Sequence, residues 1–298
     1  MTSPLPLWVL TGAVAVVSRV VMSPYQKHLL ADSSESEVLF VRDTVALILF
    51  LPTIAWLLFS RGFSGTPAGT VAMLSTGLLN VLGAFVVFRA LDREDASVVV
   101  PLMSLSPVVT SFIEPLLRNT VVSPTVVIGS VLSGFGAAVV SSEENRLQSI
   151  VQSSDTEAVV LALSGNILFG LTSTLDGIAT ASVNPLYVSA TIVLFVCVGT
   201  TLRLRGQSTC GFTEQREQLV ALYRRDKGLL GIIQFVGLGA TLFTFGVAPS
   251  ATQAAVLFKS NIVLVVLVSS VGLREQHLLR RSVGAVIISV GVVLAVTD

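Results

Sequence analysis

The stretch Ala251-Thr-Gln-Ala-Ala-Val-Leu-Phe-Lys259-Ser-Asn-Ile-Val-Leu-Val-Val-Leu-Val-Ser-Ser-Val-Gly272 holds 22 residues and a single charge, the ammonium of Lys259. A helix of that length rises about 33 Å at 1.5 Å per residue, enough to cross the hydrocarbon core of a bilayer. No acidic residue lies within the stretch to neutralise the lysine. A lone ammonium near the bilayer centre costs about 2.5–3.5 kcal/mol, a cost relieved when it faces a protein-lined cavity. Arg19 poses the same problem in the middle of the first apolar stretch. Two cations at similar depth are the strongest pointer to what the chain handles.

The rest of the composition agrees with a membrane protein. Of 298 residues, 52% are hydrophobic and 12% charged, and the mean hydropathy is +0.84. Soluble domains carry roughly 25% charged residues. The formal net charge is zero, which argues against a nucleic-acid partner. Cys197 and Cys210 make no metal or redox spacing. Residues Met1 to Pro6 contain no basic group, so the first apolar run reads as a retained span and not as a cleaved signal.

Ten apolar segments can be placed, at about 6–27, 37–59, 69–89, 95–117, 123–140, 158–180, 184–202, 228–247, 250–272 and 277–296. Two polar stretches are longer than the rest, Ser141–Glu157 and Arg203–Lys227. Within the second, Glu214–Arg225 can form an amphipathic interfacial helix, with Leu219, Leu222 and Tyr223 on one side. Sliding the chain by 155 residues lays segments three to five on eight to ten without gaps. Gly129 then falls on Gly284, Gly136 on Gly291, Ala96 on Ala251, Leu102 on Leu257 and Phe88 on Phe243. Glycines spaced by seven also serve close helix packing. Together with the matching segment lengths they predict two five-helix repeats, residues 1–140 and 158–298, joined by a polar linker over 141–157. An odd number of helices per repeat makes the second repeat enter the membrane inverted, a common transporter plan with its site near the midplane.

The run Arg89-Ala-Leu-Asp-Arg-Glu-Asp-Ala-Ser-Val-Val-Val-Pro-Leu-Met-Ser-Leu-Ser-Pro107 resembles the signature of the drug/metabolite transporter superfamily, in its EamA-like branch. In that pattern an Ala-Leu dipeptide closes the third helix, and small residues lead to Pro-Val-Val-Thr, here Pro107 to Thr110. In the second half Gly272-Leu-Arg-Glu275 is similar to the family's glutamate-bearing turn before the last helix, with Gly284 and Gly291 beyond it. The first half departs from the pattern. Its turn Leu117-Arg-Asn-Thr120 lacks the glutamate, and Glu114 stands a turn earlier. Segment nine has Asn261-Ile262 where the first half has Ser106-Pro107. The resemblance implies an all-α membrane protein of ten helices in two inverted repeats that moves a small metabolite.

Seven residues are candidates for contact with a substrate. Lys259 is the register counterpart of Ser104, which puts both on equivalent faces toward the axis between the repeats. Ser104 shares its helix face with Ser97, Pro101, Ser111 and Pro115. Arg19 shares a face with Gly12, Ala15, Ser23 and Gln26. Glu114 sits about 15 Å, and Asp176 about 10 Å, from the level of the cations at 1.5 Å per residue, so neither is an easy ion-pair partner. Asn80, Asn166, Gln234 and Asn261 add neutral amides, of which Asn166 and Gln234 head polar stripes on segments six and eight. Buried amides also act as interhelical glue worth about 0.6 kcal/mol. Structural pairing of Lys259 and Arg19, relayed through Asp176 or Glu114, is the competing role for the cations.

Catalytic signals are weaker. Asp92 and Asp95 make a DxxD of the kind that binds magnesium diphosphates, which keeps an integral-membrane prenyl-type transferase as an alternative. Two histidines, His28 and His277, are too few for a metal cluster, and no cofactor is expected. Without a GxxxxGK phosphate loop, energy would come from a gradient or exchange. Basic residues follow odd-numbered segments far more than even-numbered ones, which by the positive-inside rule places both termini outside. The sequence therefore predicts a multi-pass transporter of the cell membrane, in contact with lipid and a small-molecule substrate carrying an anionic group. An exporter of neutral or cationic amphiphiles is the alternative within transport.

Overall fold

The computed structural model describes residues 6–30, 33–94, 99, 102–141, 156–207, 212–226, 228–272 and 278–298. The linker over 142–155, Asp95, Ala96, Ser97, Pro101, Cys210 and the turn from Leu273 to His277 lie outside the described residues. Among the described residues there is no strand, and the helices are α1 (Leu7–Leu30), α2 (Glu35–Arg61), α3 (Pro67–Leu91), α4 (Ser106–Arg118), α5 (Pro124–Ser141) and α6 (Thr156–Thr180), then α7 (Pro185–Gln207), α8 (Phe212–Asp226), α9 (Leu229–Val247), α10 (Ala251–Phe258), α11 (Ser260–Gly272) and α12 (Leu278–Val296). Of these, α1, α2, α3, α6, α7 and α9 are each long and apolar enough to cross a membrane. The chain is an all-α membrane protein.

Local sequence explains where several helices begin. The Ser34 hydroxyl accepts the Glu37 amide while the Glu37 carboxylate accepts the Ser34 amide, a capping box at the start of α2. Thr66 accepts from Gly69, and Pro67 opens α3 at a position where no backbone donor is needed. The interfacial segment is helical as α8, and it buries Leu222 with Leu29, Val38, Val41 and Leu230.

Packing of the spans follows the small residues. α5 lies antiparallel to α12, with Gly129 against Gly291 and Gly136 against Gly284. A methyl group on Gly129 would stand 2.6 Å from the Gly291 carbonyl oxygen, and one on Gly136 2.8 Å from that of Gly284. Gly284 and Gly291 are the register counterparts of Gly129 and Gly136, 155 residues on. Each glycine thus meets the counterpart of the other, the reciprocal contact that a two-fold axis between like elements makes. Other contacts reciprocate in the same way: α3 packs on α6 as α9 packs on α1, and α3 on α7 as α9 on α2.

Segment nine, expected as one helix, is two. α10 stops at Phe258, the Lys259 amide turns back to the Val256 carbonyl at 3.0 Å, and α11 starts at Ser260. Segment four breaks at the matching place. Leu102 and Met103 are helical, Ser104 and Leu105 form a turn, and α4 starts at Ser106 with Pro107 in its first turn. Non-helical backbone at membrane depth is tolerated where it is buried in protein or lines a cavity, since lipid offers no hydrogen bonds. Both breaks fall at one register position, Ser104 and Lys259.

Glu114 joins the two half-helices. It is 0% exposed, and its Oε1 accepts the Ala251 amide at 2.7 Å and the Arg118 guanidinium at 2.8 Å. Oε2 accepts the Thr252 amide at 2.8 Å and the Thr252 hydroxyl at 2.7 Å. Ser250 takes the Gln253 amide at 3.0 Å. The first three amides of α10, otherwise without partners, are therefore all satisfied, and the carboxylate sits at the positive end of the helix dipole. At the other terminus, hydroxyls of Ser123 and Thr125 hold the Asp298 carboxyl below its usual range and tie the chain end to the start of α5.

Two outcomes check this packing by thermal melting in detergent. Gly129→Ala should destabilise by about 1–3 kcal/mol, because backbone of α12 must move. Gly239→Ala, with nothing within 4 Å of the added methyl, should be neutral or stabilising by about 0.5–1 kcal/mol. Removing the buried anchor with Glu114→Ala should cost about 3–5 kcal/mol, whereas Glu157→Ala, which ends half-exposed pairs with Arg89 and Arg93, should cost under about 1 kcal/mol.

Candidate functional site

Between the two halves lies a cavity of about 360 Å³, within the range of small-molecule sites. Its position follows from the two broken segments: Ser106 at the start of α4 and Asn261 and Ile262 at the start of α11 all line it. Helix N-termini carry partial positive charge. Lys259, at the break itself, also lines the cavity, as does Arg19 from the middle of α1.

Arg19 is held by neutral groups. Its guanidinium donates to the Thr241 hydroxyl at 3.4 Å and lies 4.6 Å from the centre of the Phe258 ring. Phe258 is braced edge-on by Phe245 at 5.5 Å. A cation over an aromatic face is attracted by about 0.5–2 kcal/mol while its donors stay available. The ammonium of Lys259 has no hydrogen bond or ion pair among the described residues.

A second group of residues at the cavity comes from α3 and α6. The Thr76 hydroxyl donates to Asp176 Oδ1 at 2.7 Å. Asn80 donates to the Thr76 carbonyl at 2.9 Å and to its hydroxyl oxygen at 3.3 Å. Phe169, Phe245 and Phe258 supply apolar surface to the lining. Among the described residues no ion pair within 4.0 Å joins Asp176 to Arg19 or Lys259. The three charges share one space without closing on each other, and they sum to one positive charge.

Four of the seven residues expected from sequence, Arg19, Asn80, Lys259 and Asn261, come together in this cavity. The other three lie elsewhere. Ser104 is buried in the turn and donates to the Gly134 carbonyl at 3.1 Å, so it fixes the break against α5. Asn166 is buried on α6, and its Oδ1 has no hydrogen-bond partner. Gln234 hydrogen-bonds Asp43, whose carboxylate is gripped by Arg42 at 3.0 and 2.8 Å. Glu114 belongs to the helix anchor, not to the cations.

Asp176 was set aside on depth and is nevertheless a lining residue. The cavity reaches from the breaks toward the C-terminal ends of α6 and α9, as Thr172, Asp176, Thr241 and Phe245 mark. Its spacing gave the clue, since Ser173 and Asp176 are three residues apart and so share a helix face. Of the DxxD pair, Asp92 is exposed and 3.7 Å from Arg203, away from the cavity, and Asp95 is outside the described residues. Among the described residues no group of three or more His, Cys, Asp or Glu side chains could hold a metal ion.

Comparison with known proteins bears on the family and the fold. Comparison with curated proteins yields no match. A solved structure titled "Crystal structure of protein" superposes with a TM-score of 0.72, covering 98% of this chain and 98% of its own, at 14% identity. That likeness shows the fold alone. The model of the EamA-like transporter family matches residues 6–142. Over residues 6–142 the chain is thus similar to the EamA-like transporter family, which is consistent with the drug/metabolite transporter superfamily.

Proposed function

We propose that the chain is a secondary transporter of the cell membrane that moves a small metabolite with an anionic group by alternating access. The observation that carries the reading is the cavity's charge: two cations, neither in an ion pair within 4.0 Å among the described residues, beside one carboxylate. One bound monoanion would bring the cavity to neutrality, and in a low dielectric that relief is substantial. Arg19 offers a planar fork for an oxyanion, Lys259 a point charge, and Asn80 and Asn261 orient the rest.

The reciprocal contacts of α5 with α12, and the paired breaks, support two inverted five-helix repeats that rock about the site. Energy then comes from a gradient or from exchange, and the charge bias of the loops leaves both termini outside. An exporter of neutral or cationic amphiphiles draws support from Asp176 alone, against two cations in the same cavity. A prenyl-type transferase draws on Asp92, which is remote from the cavity and beside Arg203. The matched family is one of transporters, and we read the chain as a carrier without catalysis.

Lys259→Gln and Arg19→Gln separate binding from scaffolding. A charge-assisted contact is worth about 1.5–3 kcal/mol, so each change should lower affinity for an anionic ligand roughly tenfold to a hundredfold. Melting temperature should fall little, because removing one cation relieves repulsion in the empty cavity. A large fall in melting temperature with unchanged affinity would assign both residues to holding the bundle together.

A further inference from the structure

The cavity has two unlike walls, and only the cationic one is used by the reading above. On the other, Asn80 donates into the Thr76 hydroxyl oxygen, so the Thr76 proton is directed to Asp176 Oδ1. That arrangement fixes the carboxylate's orientation. Oδ2 accepts no hydrogen bond from the described residues, yet it is not among the buried atoms closed off from every partner. It therefore faces the cavity. Asp176 and Arg19 act on each other electrostatically but do not close into contact. Instead the guanidinium rests on Phe258 and Thr241, and no ion pair within 4.0 Å links it to Asp176 among the described residues.

We propose that Asp176, oriented by Thr76 and Asn80, is a specificity-determining residue that accepts a hydrogen bond from an O–H or N–H group of the substrate whose anionic group meets Arg19 and Lys259. The inference rests on the anion reading and narrows it. The substrate is a small organic anion with a donor at its other end and an apolar body against Phe169 and Phe245. A bare anion would fill the cationic wall but press apolar surface on the open carboxylate oxygen, which loses its water without compensation. A site built to hydrogen-bond a substrate group discriminates strongly against analogues that lack it.

Titration calorimetry on the protein in detergent tests this with two series of common skeleton, each with its donor remote from the carboxylate: hexanoate, 6-hydroxyhexanoate and 6-aminohexanoate, then 3-phenylpropionate, 3-(4-hydroxyphenyl)propionate and 3-(4-aminomethylphenyl)propionate. In at least one series the hydroxyl- or ammonium-bearing member should bind at least about tenfold more tightly than the bare acid. Asp176→Asn keeps an acceptor oxygen and removes the charge. It should weaken an ammonium-bearing ligand by about tenfold or more and a hydroxyl-bearing one by less than about threefold, which distinguishes the two donors. Thr76→Val, which leaves the charge in place, should reduce the preference for the donor-bearing ligand at least about threefold and leave the bare acid unchanged. It also decides the matter if the Asp176 variant does not fold. Equal affinity of bare and donor-bearing acids for the wild-type protein would overturn the proposal while leaving the anion reading intact. Uniform weakening of every ligand by both variants would overturn it too, by making the wall structural. If no acid binds, or if Arg19→Gln leaves binding unchanged, the anion reading fails and the proposal falls with it.

Discussion

Lipid cannot hydrogen-bond a peptide group, and that single constraint governs this fold. Wherever a span leaves the helical path, its freed amides and carbonyls need partners from protein or from water in a cavity. Here two spans leave it, at Ser104 and at Lys259. Each break is met in its own way. Ser104 ties the first to α5 through the Gly134 carbonyl, while Lys259 opens the second onto the cavity. The amides at the start of α10 are taken by Glu114 and Ser250, so the short helix can begin within the bundle. The two breaks lie at one register position, and Ser106, Lys259, Asn261 and Ile262 beside them line the cavity.

The halves are alike in geometry and unequal in chemistry. The glycine pairs of α5 and α12 set the backbone contact between them, and small residues there let the helices approach. Lys259 stands where the first half has Ser104, and Ser269 where the first half has Glu114. Charge is thus placed unequally at positions that correspond in the 155-residue register. The cationic wall comes from α1 and the α10–α11 break, and the carboxylate wall from α6 with α3. Phe169, Phe245 and Phe258 add aromatic surface to the same lining. The interior is suited to a ligand that is itself polar at its ends.

Much of this was legible in the amino-acid sequence. Apolar length and polar punctuation located the spans, because bilayer thickness fixes helix length. The 155-residue register singled out the four glycines packed between α5 and α12 but not their crossed pairing, and it picked out Lys259, which lines the cavity. Arg19, Asn80 and Asn261 were found by the same test, a polar group on an otherwise apolar span. What escaped was contact chemistry. Gln234 and Ser104 look identical in sequence to cavity residues, yet one satisfies Asp43 and the other a turn. Polarity alone does not say which neighbour is owed a hydrogen bond. Asp176 makes no ion pair with the cations within 4.0 Å among the described residues, as its depth predicts, yet it lines the cavity, which extends toward the ends of α6 and α9. The break in segment nine was hidden by an apolar run that a continuous helix would satisfy equally well.

The account stands on a water-filled, net-positive cavity at the Lys259 break. The most direct test replaces both native cysteines, introduces Asn261→Cys, and compares thiol-modifying reagents of equal size that bear a sulfonate or a trimethylammonium group. Rates are divided by those for a free thiol in solution. Position 261 should react from the aqueous phase, with the anionic reagent favoured over the cationic one by about tenfold or more at low salt. Lys259→Gln in the same background should shrink that ratio. An unreactive thiol, or a reagent preference that is absent or reversed, would contradict the central claim.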